Sequence, residues 1–232
     1  MRIGDAYFVR KNDEQAILFY AKAIAEKGGQ VDYAKFQTGL TYGFMGDYKQ
    51  KASSMLDIVN NHSKSTFVVP ALYEVGEAYR LMDDNHYDQA LKYFNQLIID
   101  YPKHPKVIDA IFQIASLHFI QENYPQAEKQ YLRVINEFDN AQKEKEALAR
   151  LKDVYTAMGE PEKYFALVQQ LHGTVDEFER DTLYYYAAFE KFQDSLFQQA
   201  ADAFDKYFKQ FPNPTFVLEA NYYKGQSHYK LG

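Results

Sequence analysis

Apolar residues in this chain recur at steps of three and four. In VIDAIFQIASLHFIQ, residues 107–121, the stripe runs through Val107, Ile111, Ile114, Ala115, His118 and Phe119. Such spacing keeps one face of a helix apolar, whereas a half-buried strand would alternate. Glu122-Asn123 breaks the pattern, and Tyr124 to Phe138 carries a second stripe through Ala127, Tyr131, Val134 and Ile135. The pattern predicts two helices joined by a short polar turn. Tyr101-Pro102 and Phe211-Pro212 close second helices of this kind, because proline lacks the N–H of the ladder and restricts the residue before it.

The pair is written more than once. HYDQALKYFNQLIIDYPKHP (86–105), NYPQAEKQYLRVINEFDN (123–140) and LFQQAADAFDKYFKQFPNP (196–214) share one layout. Aligning them puts Ala16, Ala90, Ala127 and Ala200 in one column, with Gly4, Gly76, Ala115 and Ala188 in a second column upstream. Gly39 and Gly225 fit the upstream column, and Tyr7, Tyr42, Tyr79, His118 and His228 lie three residues beyond it. The two small columns have a mechanical reason. Helix axes approach to about 8 Å only where the crossing side chains are small. Bulk returns four residues later at Phe94, Tyr131 and Phe204, each contributing roughly 1.5–3 kcal/mol when buried.

These columns resemble tetratricopeptide repeats, and the resemblance covers nearly the whole chain. It implies an all-α fold, a right-handed α-α superhelix of about six to seven helix-turn-helix units in a single array over residues 1–232. HGTVDEFE (172–179) is the most linker-like stretch, so a bend near 172–178 is one expectation and a simple turn the other. Two units depart from the pattern: Lys51, beside Ala52, takes one small position, and Lys152 and Tyr164 take another pair. Looser or rotated packing is expected there. The endings Asp100-Tyr101-Pro102 and Gln210-Phe211-Pro212 are similar to repeats in bacterial envelope proteins of the Tol–Pal and outer-membrane barrel-assembly systems. That similarity implies a periplasmic or outer-membrane-associated location, with the cytoplasm as the alternative. The array reads as cut in mid-repeat at both ends, which is expected of a piece of a longer chain and leaves apolar ends for self-association.

Composition narrows the chemistry. The net charge is −6, and Lys and Arg are scattered without a basic cluster, so a nucleic-acid partner is not expected. No cysteine is present, which removes disulfides, thiol nucleophiles and thiolate metal sites. No apolar run reaches the roughly 18 residues of a membrane span. The six histidines form no His-x-x-x-His pair on a helix face, the arrangement a single-helix zinc site needs. His118 and His228 share a column with tyrosines and are expected to pack, whereas His62, His86 and His104 fall in turns. DEFERD (176–181) reads as a solvated helix start favoured by the helix dipole. No phosphate loop or nucleophile elbow appears. No enzyme activity and no cofactor are expected.

A surface remains as the candidate. The resemblance implies that first helices line a concave face. Its inward positions are Tyr33, Phe36, Leu40 and Phe44, then Tyr73, Glu77, Phe112 and Phe119, then Tyr185, Phe189, Phe192, Tyr222, Tyr223 and Tyr229. Such a face suits a protein or peptide partner, since rings give large contact area at low entropy cost. The alternative is that many of these rings pack between adjacent first helices. The chaperone-tail mode of tetratricopeptide grooves needs Lys and Asn where this chain has Phe36, Leu40, Phe112 and Ser116, so an apolar segment is the expected ligand.

Overall fold

The computed structural model describes residues 2–26 and 30–232. Among them are thirteen α-helices and no strand. They are α1 (Arg2–Val9), α2 (Asp13–Ala25), α3 (Val31–Phe44), α4 (Tyr48–Asn61), α5 (Val68–Met82), α6 (Tyr87–Asp100) and α7 (Lys106–Ile120). There follow α8 (Tyr124–Glu137), α9 (Ala141–Met158), α10 (Pro161–Gln170), α11 (Glu177–Gln193), α12 (Phe197–Gln210) and α13 (Val217–Leu231). A 3-10 turn (Asp84–His86) precedes α6. The all-α expectation and the helix-turn-helix alternation hold throughout the described residues.

The chain forms two compact units, Met1–Leu117 and His118–Gly232, and the division falls inside α7. In the first unit each helix from α1 to α5 packs on the next. In the second, α9 touches both α10 and α11, and α11 touches both α12 and α13. A first helix therefore meets its own partner and the next first helix, which is how stacked hairpins build a solenoid.

The small columns are the contact points. An added Cβ on Gly4 would lie 2.7 Å from the Tyr20 ring, on Gly39 2.7 Å from Met55 Cε, and on Gly76 2.5 Å from Phe94. Ala16, Ala90, Ala127 and Ala200 are fully buried, as are Phe94 and Phe204. Helices α1, α3 and α5 thus each offer a hole that a bulky side chain of the partner helix fills.

A second recurring device closes the hairpins. Lys11, Gly46, Glu122, Gly159 and Ser195 all adopt left-handed backbone, with φ between 57° and 78°. Each lies seven residues past the small position of its first helix. The N–H that follows donates back five residues, as in Asn12 to the Tyr7 carbonyl and Glu160 to the Tyr155 carbonyl, at 2.9 and 2.8 Å. This is the hydrogen-bond closure that ends helices in a left-handed cap. The hairpin of α5 and α6 differs: Asp83 is extended at φ −173° and caps the inserted 3-10 turn instead.

The expected looseness at Lys51 is replaced by a compensated fit. Lys51 is buried, its stem lies over Gly43, and its ammonium pairs with Glu74 of α5 at 2.6 Å. Glycine four residues past the small column makes room for the longer side chain. In the other departing pair, α9 runs long and α10 short. Tyr164 is nevertheless buried, and Lys152 reaches Glu179 of α11 at 3.1 Å. Residues 172–176 lie inside the second unit, with His172 at φ 59°.

Candidate functional site

In the second unit, α11 and α13 run side by side and concentrate aromatic rings. Tyr185, Phe189 and Phe192 stand at steps of four and three, so they share one face of α11. The Tyr185 ring is buried and stacks on Phe216 at 4.4 Å, while Tyr223 of α13 reaches Phe189 at 4.7 Å and Phe192 at 5.0 Å. Tyr186, on the neighbouring edge of α11, is 45% exposed and lies 6.0 Å from Phe216. One side of this ring cluster continues into a core containing Phe204, Tyr207 and Phe211, and the Phe189, Phe192 and Tyr223 side is only partly buried. Burial pushes the Tyr185 hydroxyl up to about 12, with Tyr223 and Glu219 adding to the rise.

A buried carboxylate holds this cluster in place. Asp181 accepts hydrogen bonds from the Tyr207 hydroxyl and, at 2.6 Å, from the Thr215 N–H. The Tyr207 oxygen in turn accepts the Phe216 N–H at 3.1 Å. The turn entering α13 is thereby fixed, and with it the ring of Phe216 under Tyr185. The expectation that DEFERD is a solvated start is correct for Asp176, which caps α11 by accepting the Glu179 N–H. It fails for Asp181, one and a half turns further on, because that position faces the partner helix.

The first unit repeats the arrangement with different residues. Phe36 lies 5.1 Å from Phe67, Tyr33 5.8 Å from the same ring, and both Phe36 and Leu40 pack on the Met55–Ile58 core. Asp32, in the register of Asp181, accepts from the Ser65 hydroxyl, whose oxygen receives the Phe67 N–H at 3.1 Å. The Ser65 hydrogen bond holds the Asp32 carboxyl below its usual range. Phe67 and Phe216 are therefore equivalent wedges between successive first helices. Neither was among the expected site residues. Their signal was present as Thr-Phe-Val, which occurs at 66–68 and again at 215–217.

The remaining expected residues are dispersed. Tyr33 donates to Asp5 at 3.0 Å, beside the Tyr20 hydroxyl on the same oxygen at 2.9 Å. Phe44 is exposed at the end of α3 and meets Phe8 at 5.4 Å. Tyr73 packs 5.6 Å from Phe94 under the Lys106 ammonium and accepts from Gln113 at 3.2 Å. Burial, then Glu77, pushes its hydroxyl up to about 12. Glu77 is held by both guanidinium contacts of Arg80, at 3.1 and 2.8 Å. Phe112 is partly buried, Phe119 lies 5.5 Å from Tyr124, and Tyr222 and Tyr229 are exposed. His118 is partly buried, which lowers its pKa, whereas His228 is exposed rather than packed.

Among the described residues no cluster of His, Asp and Glu is arranged to hold a metal ion. No described helix is long and apolar enough to cross a membrane.

Comparison with known proteins agrees with this geometry. Residues 70–104 match the tetratricopeptide repeat family. They span α5 and α6, the pair in which Phe94 fills the hole at Gly76. The fold is that of a tetratricopeptide array. Among solved structures, MamA is similar at 19% identity and a TM-score of 0.57, over 73% of this chain and 94% of MamA. The C-terminal part of a tetratricopeptide repeat protein from Cytophaga hutchinsonii is similar at 17% identity and a TM-score of 0.57, over 90% and 78% of the two chains. A tetratricopeptide repeat protein from Parabacteroides merdae is similar at 16% identity and a TM-score of 0.53, over 98% and 82%. No curated protein matches the chain in sequence. Tetratricopeptide proteins are typically non-catalytic scaffolds for other proteins.

Proposed function

We propose that this chain is a non-catalytic scaffold that binds an apolar segment of a partner protein on the ring-bearing faces of its first helices. The observation that carries this reading is the partly open cluster of Phe189, Phe192 and Tyr223. Rings held by a core on one side and left open on the other present a rigid apolar surface, which costs little entropy to bind. Asp181 supports that rigidity through the turn at Phe216. The expected binding residues on the first helices are Tyr33, Phe36, Leu40, Phe44, Tyr73 and Phe112 in the first unit and, besides Phe189 and Phe192, Phe119, Tyr185, Tyr222 and Tyr229 in the second. Asp100-Tyr101-Pro102 and Gln210-Phe211-Pro212 support a setting in the bacterial envelope, and fractionation of source cells tests it.

Co-purification from source-cell extract tests the binding reading, comparing the chain with a Phe189→Ala, Phe192→Ala variant. Proteins recovered by the chain and lost by a variant of unchanged helicity are expected. Identical recovery by both removes the reading.

A further inference from the structure

The passage from α10 to α11 folds into a small cleft with one cation in its wall. Helix α10 ends on left-handed His172, at φ 59°, and the Gly173 N–H donates back to the Val168 carbonyl at 2.8 Å. A Cβ on Gly173 would lie 2.8 Å from Val168 Cγ1, so glycine lets the chain close tightly over that side chain. Thr174 and Val175 continue without helix until Asp176 caps α11. The result is a cleft of about 310 Å³ with Phe165, Val168 and Val175 as apolar walls and Thr174 and Arg180 as polar ones. No acidic residue lines it.

A guanidinium carries several N–H donors and no acceptor. Arg80, Arg133 and Arg150 each meet a carboxylate, on Glu77, Glu137 and Asp153, at 2.8, 2.7 and 3.8 Å. Arg180 instead lies over the Phe165 ring, 5.0 Å from its centre. Among the described residues no carboxylate stands within ion-pair distance of it. Three acids beside it in sequence are occupied elsewhere: Asp176 accepts the Glu179 N–H, Glu179 pairs with Lys152, and Asp181 accepts from Tyr207 and Thr215. The ring attracts the cation but leaves its donors without an acceptor.

We propose that this cleft binds a small organic acid, its carboxylate on Arg180 and its apolar body against Phe165, Val168 and Val175. The guanidinium fork matches a carboxylate through two parallel hydrogen bonds. One cation balances one negative charge. A phosphate would bring further charge against apolar walls, where it loses water without gaining a partner. The volume lies at the small end of ligand pockets, which suits a single compact molecule. The cleft shares no residue with the Phe189–Phe192–Tyr223 cluster, so acid binding does not depend on the partner-binding face.

The probes are hexanoate and hydrocinnamate, titrated against the whole chain by nuclear magnetic resonance with the Thr174 and Val175 amides as reporters. Saturable shifts are expected with at least one acid. Hydrocinnamamide, which keeps the body and lacks the charge, binds about tenfold or more weakly; this comparison uses the unaltered chain and depends on no variant folding. Arg180→Gln weakens the acid equally, and Arg180→Lys, which keeps the charge without the fork, falls between. Circular dichroism checks that both variants retain their helicity, and the Phe189→Ala, Phe192→Ala chain binds the acid normally. Absence of saturation with either acid overturns the proposal, as does equal binding of the amide or indifference to Arg180→Gln. Tighter binding of inorganic phosphate overturns it in favour of a simple anion site. Tighter binding of N-acetylleucine than of both acids overturns it in favour of a polypeptide end.

Discussion

The Phe94 ring lies so close to Gly76 that a methyl group there would stand 2.5 Å from its edge. The ring is fully buried, so it has nowhere to retreat. Gly225 occupies the same register with open space above it. One substitution at two equivalent glycines should therefore have opposite signs. Gly76→Ala destabilises by about 1–3 kcal/mol through overpacking, less the gain in helix propensity. Gly225→Ala stabilises by about 1 kcal/mol, since only propensity acts. Thermal melts of the two variants, read side by side, check both signs.

The left-handed hairpin turns predict a second pair of effects. Glu122 and Ser195 hold φ of 57° and 62°, a region that disfavours side chains and suits glycine. Glu122→Gly and Ser195→Gly should raise stability by up to about 1 kcal/mol each. Gly46→Ala, at φ 78°, should lower it. Denaturant midpoints measure all three.

Asp181 serves two donors from a buried position. Asp181→Ala leaves the Tyr207 hydroxyl and the Thr215 N–H without their acceptor and should cost about 2–4 kcal/mol. The loss has a local signature: near-ultraviolet circular dichroism from the Tyr185–Phe216 stack should fall more than the far-ultraviolet helix signal. Tyr207→Phe should give part of the same change, and the double variant less than the sum.

Buried tyrosines make the chain sensitive to alkali. Tyr73, Tyr184 and Tyr185 are each pushed up to about 12, chiefly by burial. Their protons are held more tightly in the folded than in the unfolded chain, whose tyrosines titrate near 10. Their contribution is therefore complete below pH about 10 and declines as pH rises towards 12, because the unfolded state then binds fewer protons. Urea midpoints should fall across that window, and tyrosinate absorbance should rise in step with loss of helix.

The alternation of helices and the Gly/Ala columns were legible because they follow from close packing, which leaves a periodic trace in residue size. The left-handed turns were not, since Lys11, Glu122 and Ser195 hide a position that glycine would have announced. Lys51 also looked like a fault in the pattern, because the compensating Gly43 is eight residues away and meets it only in three dimensions. The aromatic face was legible as a set of columns but not as a surface. Phe36, Tyr73 and Tyr185 share one column with Tyr222, yet three are drawn against rings beyond their own helix, while the fourth meets Tyr223 of its own helix and stays exposed. Periodicity tells which side of a helix a ring is on. It does not tell what lies opposite.

The pair of buried Lys51 and partly buried Glu74 joins α4 to α5 across the junction between successive hairpins. An ammonium in that position tolerates few neighbours: any other hairpin placed after α4 would leave it desolvated without a carboxylate. The hairpins of this array are thus not interchangeable parts. Shuffling their order would be resisted at that one seam by electrostatics, even where every apolar column still matched.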